Sequence, residues 1–585
     1  YRLQAVLSAN RTFGENLQVN LSAGAETNRL LGGRNYRTWT EGGLRLPEIY
    51  SLANARTRVE IATSPVAAKR TDAIYLYGDV TYKDFLTFNF SNRMDFSSTL
   101  TYADGSGDFS YYYPSVGVSY IVTESIKDLP TWLSFGKLRA SLGYTGADTS
   151  PWSLNRTGIY SPGGVYNYPT GSIQRSGFSD NTLPNYNLRN RLAREWELGF
   201  DARFFGNRLG IDFTVYNKLT TNEILSIPVT SEAGVGSRII NAGKIQNKGI
   251  ELMITATPIK SKDVRWNTSL NITRNRNKIL ELTEGISSYQ LDLAFGADMA
   301  SVARVGKDYG TIVTSYAFAT YQKKDASGNP VAHPGNGQRV IGSVSGGSGG
   351  YLGFMRSGAY GQGEKEIGSI MEKVLLSNVN NVTYKNFSLN LQVDSKIGGM
   401  MASATHQYGS QSGNFARSLF GRNKELGGVE FTDAQGVKRE DGIIPEGVMA
   451  DGFKVTKDGQ TIDLSGVTYA EAVQKGYLTP IPARNYYENL TQWSSGIREF
   501  STFENSWVSM REISVGYDVP AKFVNKIKFQ SLRLSVVGRN LGYLYRTAPD
   551  GINPEGLKSN RPGEFAEYGG LPFSRNIGVT LNAGF

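Results

Sequence analysis

Residues 195–218, EWELGFDARFFGNRLGIDFTVYNK, alternate apolar and polar side chains through two halves joined by a turn. Trp196, Leu198, Phe200, Ala202 and Phe204 fall on one side; Glu195, Glu197, Gly199, Asp201 and Arg203 fall on the other. A period of two marks a pleated strand whose faces meet different surroundings. Gly206-Asn207 has the chemistry of a two-residue hairpin turn. The return strand sets Leu209, Ile211, Phe213 and Val215 against Arg208, Gly210, Asp212 and Thr214. Pairing Phe204 with Leu209 puts both apolar rows on one face. Glu197, Asp201, Arg203 and Asp212 then share the opposite face, which is too polar for a packed core and suits a wet lumen. The apolar face suits lipid, where Arg or Lys at mid-depth costs roughly 2–4 kcal/mol.

The same alternation recurs at 74–82, 86–94, 116–122, 136–144, 250–256, 266–272, 386–394 and 507–519, with Glu251 on the polar side. It also fills the first ten residues and the last ten. In all there are about fifteen strands of roughly ten residues, the length a tilted strand needs to cross a bilayer. Short turns are expected near 11–16, 83–85, 124–133, 206–207, 258–263, 395–397 and 520–528. Long excursions are expected near 27–72, 95–110, 146–193, 220–246, 276–382, 409–504 and 540–573. Short and long alternate throughout. A soluble sandwich or propeller has no reason to gather every long loop at one end. The expected fold is therefore all-β: a transmembrane antiparallel β-barrel with short periplasmic turns and long, partly folded extracellular loops. If the last strand ends in the periplasm, strand 1–10 runs down from outside, and an even barrel needs an odd number of strands upstream. Seven more would bring about fifteen to twenty-two.

Composition permits this reading. No apolar run reaches the eighteen residues of a transmembrane helix, and a mean hydropathy of −0.32 is what half-apolar strands produce. The net charge of +10 is scattered, with no long basic run, so solvated loops and lumen account for it and nucleic acid is set aside. Cysteine is absent, which removes disulfides and thiolate metal sites. The opening YRLQAVLSAN has no Met and no signal peptide, and reads as the later part of a longer precursor.

Several blocks resemble the SusC/RagA-like branch of TonB-dependent transporters: LYGDVTYKDFLTFNFSNRMDFSSTL, YYYPSVGVSYIVTE, LSFGKLRASLGYTG, the 195–225 stretch, INAGKIQNKGIELMITATPI, WNTSLNITRNRNKILEL, VTYKNFSLNLQVDSKIGG, WVSMREISVGYDVPAKF, SLRLSVVGRNLGYLYR and the terminal strand. They keep the family's order at comparable spacings. The resemblance implies a twenty-two-stranded outer-membrane barrel of Bacteroidetes-type bacteria, of which 1–585 would be the C-terminal two-thirds. It also implies a plug, a TonB box and first barrel strands outside this sequence. A SusD-like surface lipoprotein would act as a hinged lid, near 146–193 and 220–246, and the TonB complex would pull on the plug. The implied activity is active import of oligomeric nutrients, glycan or peptide. The alternatives are a lidless siderophore or vitamin receptor, or a secreted all-β carbohydrate-binding protein. The Gly-rich stretch 342–368 departs from the family's pattern, so no substrate role carries over to it.

Catalysis finds little support, and neither enzyme activity nor a cofactor is expected. His333 and His406 are the two histidines, and neither lies in a nucleophile or zinc motif. His406, in SATHQYG at a strand end, is expected at lumen or rim. GGSGG at 346–350 reads as a flexible loop, since no strand–helix context makes it a phosphate cradle. Asp104, Ser106 and Asp108 in DGSGD have calcium-loop spacing without the bidentate Glu, a weak metal signal against an ordinary Asp/Gly turn. DASGNP (325–330), TDAQGVKRE (432–440) and TKDGQTI (456–462) read as hairpin turns within the long loops. Loop aromatics are the candidate ligand contacts: Tyr160, Tyr166, Tyr168, Phe415, Phe420, Tyr486, Tyr487 and Trp493. A membrane-interface belt or simple loop packing is the competing explanation for each. In the final strand, Ile577, Val579, Leu581, Ala583 and Phe585 are expected to face lipid and to resemble the signal read by the barrel-assembly machinery.

Overall fold

Long antiparallel strands dominate the computed structural model, which describes residues 1–585 apart from 67, 103, 152–159, 169–170, 179–181, 184, 186, 230–234, 347–348 and 528. The chain divides into two compact units, Tyr1–Leu252 with Leu280–Gly285, and Met253–Ile279 with Ile286–Phe585. In the first, β1 (Arg2–Phe13), β2 (Leu17–Leu30), β3 (Lys69–Tyr82), β4 (Leu86–Ser97), β5 (Ser110–Ile121), β6 (Leu133–Ala147), β7 (Arg191–Phe204) and β8 (Leu209–Thr221) each pair with the next. Strand β9 (Lys244–Lys260) runs from the first unit into the second. The second unit carries β10 (Val264–Glu281), β11 (Glu372–Tyr384), β12 (Phe387–Gly398), β13 (Trp507–Asp518), β14 (Ser531–Arg546) and β15 (Asn576–Gly584), again in next-neighbour order. Among the described residues this makes fifteen long strands, the number read from the alternation.

The faces follow the alternation. In the first unit Ile74, Leu76, Phe88, Val116, Val118, Leu138, Leu142, Leu198 and Phe200 form an exposed apolar band. Pairings such as Val116 with Leu142 and Leu138 with Phe200 keep the band on one face. In the second unit Leu389, Val515, Leu534, Val536, Val579 and Leu581 do the same. The opposite face holds ion pairs: Arg139 to Asp212 at 2.5 Å, Glu26 with Arg2 at 2.7 Å, Arg511 to Asp394 at 3.0 Å and Arg539 to Glu512 at 2.9 Å. Apolar surface left open on this scale is tolerated in lipid and not in water.

Aromatic pairs cluster at the short-turn end. Phe85 meets Tyr82 and Tyr120, each at 5.8 Å, and Trp132 stacks on Phe204 at 5.8 Å. In the second unit Phe387 meets Tyr517 at 4.8 Å and Phe529 meets Phe585 at 4.6 Å. Such rings mark a membrane–water boundary. Ile577, Val579, Leu581, Ala583 and Phe585 are all exposed, with β15 laid along β14.

The hairpin of β7 and β8 has the expected register, Phe204 opposite Leu209. Its turn differs from the expected two residues. Residues 205–208 form it, with φ of 56°, 63° and 64° at Phe205, Gly206 and Asn207. A left-handed Phe is costly by roughly 1–2 kcal/mol, and neighbouring backbone holds it there. Phe205 N–H donates to the Trp132 carbonyl at 2.8 Å, and the next two N–H groups donate to Ser134 Oγ at 2.8 and 3.3 Å.

The turn expected at 395–397 is corrected. The chain turns at Lys385-Asn386, joining β11 to β12, and β12 continues to Gly398. The excursion expected over 276–382 thus ends at Glu372, and β11 occupies its last part. Strand β11 is hard to read because Asn378 and Asn380 interrupt its apolar row. They bond to each other at 2.6 Å, and Trp266 Nε1 donates to Asn380 at 3.0 Å, so the amides are satisfied there. TYKNF at this turn repeats TYKDF at 81–85, and Lys83 and Lys385 both take positive φ, 48° and 52°.

Two glycines show why small residues line the lumen face. A Cβ on Gly249 would lie 2.3 Å from the Tyr216 ring, and one on Gly24 would lie 2.5 Å from Tyr75. Each ring covers its glycine across the strand pair. Gly249→Ala is expected to destabilise by about 1–3 kcal/mol, as overpacking does, and Tyr216→Leu in the same chain should restore most of it. Urea midpoints of the folded band in cold detergent gels check this.

With one sheet face in lipid and the other wet, the apolar cores lie in the long connections. In the second unit Phe318, Ile341, Phe354, Met449, Leu464, Tyr469, Ile481, Leu490 and Ile497 form one core, drawn from 281–372 and 398–507. All three expected hairpin turns are present. Lys324 bridges Pro330, Thr432 pairs with Lys438, and Lys457 pairs with Gln460. Of GGSGG, read as a flexible loop, residues 347–348 lie outside the described residues; Gly346 pairs with Gly349 between the strands Val340–Gly346 and Gly349–Phe354.

Candidate functional site

The segment after β12 folds as a helix, Ala404–Gln411, where a further strand was expected. Ser403 caps it, accepting from His406 N–H at 2.9 Å while its hydroxyl donates to Glu567 at 2.6 Å. Gly413, with φ of 75°, ends it. A 3-10 turn, Ala416–Leu419, then carries Arg417 between Phe415 and Phe420. A second helix, Ala483–Thr491, sends Leu490 and Asn489 into the loop core. Asn489 clamps the Phe354 backbone, accepting from its N–H at 2.8 Å and donating to its carbonyl at 3.0 Å. Tyr487 ties this helix to the 3-10 turn. Its hydroxyl lies 3.0 and 3.1 Å from the carbonyl oxygens of Arg417 and Phe420.

Between these elements lies a cavity of about 630 Å³. Phe415, Phe420, Tyr486, Tyr487, Phe500 and Phe503 supply its rings, and His406, Arg417 and Asp550 its polar groups. Phe415 fits only because Gly409 and Gly551 lie beside it; a Cβ on either would come within 2.1 and 2.8 Å of its ring. Four of the eight aromatics picked from the sequence, Phe415, Phe420, Tyr486 and Tyr487, thus line one cavity. Trp493 is not in that lining and stacks on Tyr408 at 5.5 Å. Tyr160, Tyr166 and Tyr168 belong to the strand Tyr160–Tyr168, and their side chains lie outside the described residues.

His406 lies in the first turn of the helix that follows the short strand Met400–Ser403, and it is buried rather than at a rim. It is 3% exposed, with Phe503 edge-on at 4.8 Å and Nδ1 3.0 Å from Ser501 Oγ. Burial, reinforced by Arg417, lowers its pKa to about 3, so the ring is neutral at physiological pH. A lowered histidine pKa means the unfolded chain holds the extra proton between about 3 and 6.5. Loop stability should therefore fall as pH drops through that window, by ~1.4 kcal/mol per pH unit, and be flat above it. His406→Gln should remove the slope, read as amide exchange of 404–411 against pH.

Arg417 sits 4.4 Å above the Phe415 ring, and its Nη2 donates to the Asp550 carbonyl. Burial lowers its pKa. Sequence reasoning passed over this residue, although NFARSLF places it among flagged rings. It also passed over Arg498, fully buried and paired with Asp298 at 2.7 Å. His333 stabilises a turn, its Nδ1 accepting from Gly335 N–H at 3.0 Å. Asp104 accepts from Ser106 N–H at 2.9 Å and from its hydroxyl at 2.7 Å, and Asp108 lies 3.3 Å from Arg189. Those bonds account for DGSGD as a turn and an ion pair. Among the described residues no three acidic or histidine side chains gather as metal ligands.

Comparison with known proteins agrees with this architecture. The model of the family described as "TonB dependent receptor-like, beta-barrel" matches residues 2–394. TonB-dependent receptor P3 of Formosa agariphila is 25% identical over 611 aligned residues, covering 99% of this chain and 52% of that protein. SusC of Bacteroides thetaiotaomicron is 27% identical over 262 residues, 43% of this chain and 26% of SusC. The chain thus spans about half the length of P3. The structure of the RagAB peptide transporter superposes with a TM-score of 0.66 at 17% identity, over 99% of this chain and 54% of that one, which shows a shared fold. The lipid-facing band, the ion-paired inner face and the family match together place the chain among the TonB-dependent receptor β-barrels of the outer membrane.

Proposed function

We propose that residues 1–585 form the C-terminal part of the barrel of an active importer of oligomeric nutrients, peptide or glycan. A SusD-like surface lipoprotein would cover the loops, and a plug outside these residues would link the barrel to TonB. The observation that carries this reading is the loop cavity lined by Phe415, Phe420, Tyr486 and Tyr487, held on folded loops. The similarity to SusC supports the lid. Purification from native outer membranes tests it. A lipoprotein should copurify with the chain, and mass spectrometry should find bound oligomeric cargo. Purification of the chain with no lipoprotein, or with an iron chelate as its cargo, would count against the proposal. Phe420→Ala, at an exposed ring of the cavity, is expected to weaken cargo retention about 2- to 10-fold, the worth of one aromatic contact.

A further inference from the structure

We propose that the loop cavity is a subsite for a carboxylate carried on an apolar body, with Arg417 as the residue that recognises the anion. The inference rests on the importer reading and narrows its cargo, favouring the apolar, carboxylate-ended segment of a peptide over a neutral glycan.

The first ground is the hydrogen-bonding inventory of the walls. Phe415, Phe420, Phe500 and Phe503 offer rings alone. The Tyr487 hydroxyl already meets two carbonyl oxygens, and His406 Nδ1 already meets Ser501. A sugar residue would bring several hydroxyls into this space, more than Tyr486, Arg417 and Asp550 can partner together, and each costs about 1–3 kcal/mol if left without a partner. An aromatic or aliphatic side chain asks for no partners and gains contact with the rings.

The second ground is charge. Among the described residues, no carboxylate stands within ion-pair distance of Arg417, which is held by a carbonyl and by the Phe415 ring. Its Nη1 is buried and has no hydrogen-bond partner. The Asp550 carboxylate is paired with Arg546 and acts on Arg417 only through space, without a direct ion pair. Arg422, beside the cavity, bonds only to Ser418, at 2.8 Å to the carbonyl and 3.2 Å to the hydroxyl. The pocket therefore presents positive charge without a direct ion pair among largely apolar walls. A guanidinium that lacks a direct ion pair gains from a ligand carboxylate, which supplies a counter-charge and a charge-assisted acceptor. The volume, about 630 Å³, lies within the usual range for a ligand pocket.

Titration calorimetry on the full chain in detergent tests the inference with three probes: acetyl-Phe-Phe as the free acid, the same dipeptide as its amide, and maltotriose. The acid is expected to bind at least tenfold more tightly than the amide, and maltotriose not to bind. Arg417→Met should abolish the difference between acid and amide, and Arg417→Lys should restore part of it. Equal binding of acid and amide, binding of maltotriose alone, or binding of none of the three would overturn the inference. The acid–amide comparison on the unaltered chain needs no variant to fold. It is also independent of lipoprotein copurification, so failure of the importer reading and failure of this subsite show up in different measurements.

Discussion

Asp298→Ala is expected to destabilise the folded loops of the second unit by about 3–5 kcal/mol, the usual result of removing one partner from a buried ion pair. Arg498 is fully buried, and its Nε and Nη2 donate to Asp298 at 2.9 and 2.7 Å. Phe295, Tyr316 and Trp493 surround the guanidinium at 5.2 to 5.6 Å, and without Asp298 its remaining partners are the Gln492 and Trp493 carbonyls. The pair ties the connection between β10 and β11 to the one between β12 and β13. Amide exchange in Ala483–Thr491 and Val340–Gly346 should accelerate at least about 100-fold, while β13 and β14 stay protected. Adding Arg498→Met to Asp298→Ala should recover much of the loss, because an apolar side chain tolerates those rings. A double variant no better than the single one would show that the charge pair is not what matters there.

Leu198→Arg is expected to cost about 2–4 kcal/mol in a bilayer, the penalty for a cation at mid-depth on a barrel wall. Leu198 is half exposed and sits between Ala140 and Val215 on the apolar face. Its neighbour Glu197 points to the other face, and Glu197→Gln should change stability by less than about 0.5 kcal/mol. Urea unfolding in lipid vesicles measures both. Two adjacent residues with opposite sensitivities are the signature of a strand between lipid and water. Equal effects would refute the assignment of faces.

Where the alternation was unbroken, as in β7 and β8, strand, face and register could all be read from the chain. The reading failed where polar residues occupy the apolar row, because Asn378 and Asn380 satisfy each other and Trp266 through contacts between residues far apart in sequence. It failed again at 404–411, where a capping Ser403 and a partner at Glu567 favour a helix in a segment whose pattern is ambiguous. The cavity was half visible. Aromatic residues in loops are easy to flag, but which of them converge depends on long-range packing. Phe415 and Tyr487 are seventy-two positions apart and line the same cavity, where Gly409 and Gly551 leave room for the Phe415 ring. Arg417 and Arg498 are charged residues in loops, ordinarily solvated, and nothing local distinguishes them from their neighbours.

The loops possess an interior of their own, built on Phe318, Met449, Tyr469 and Leu490. Most of the entropy of ordering those segments is therefore lost when the chain folds, before any cargo arrives. Under the proposed importer function, capture carries a small ordering penalty, and its heat-capacity change should report mainly the apolar area of the cargo itself. An interior that is separate from the lipid-facing wall can also drift independently of it. The wall answers to the membrane, whose chemistry is constant, while the loop interior answers to whatever the medium offers. A change in what the cavity recognises can thus be written into a few of its side chains without disturbing a single strand of the sheet.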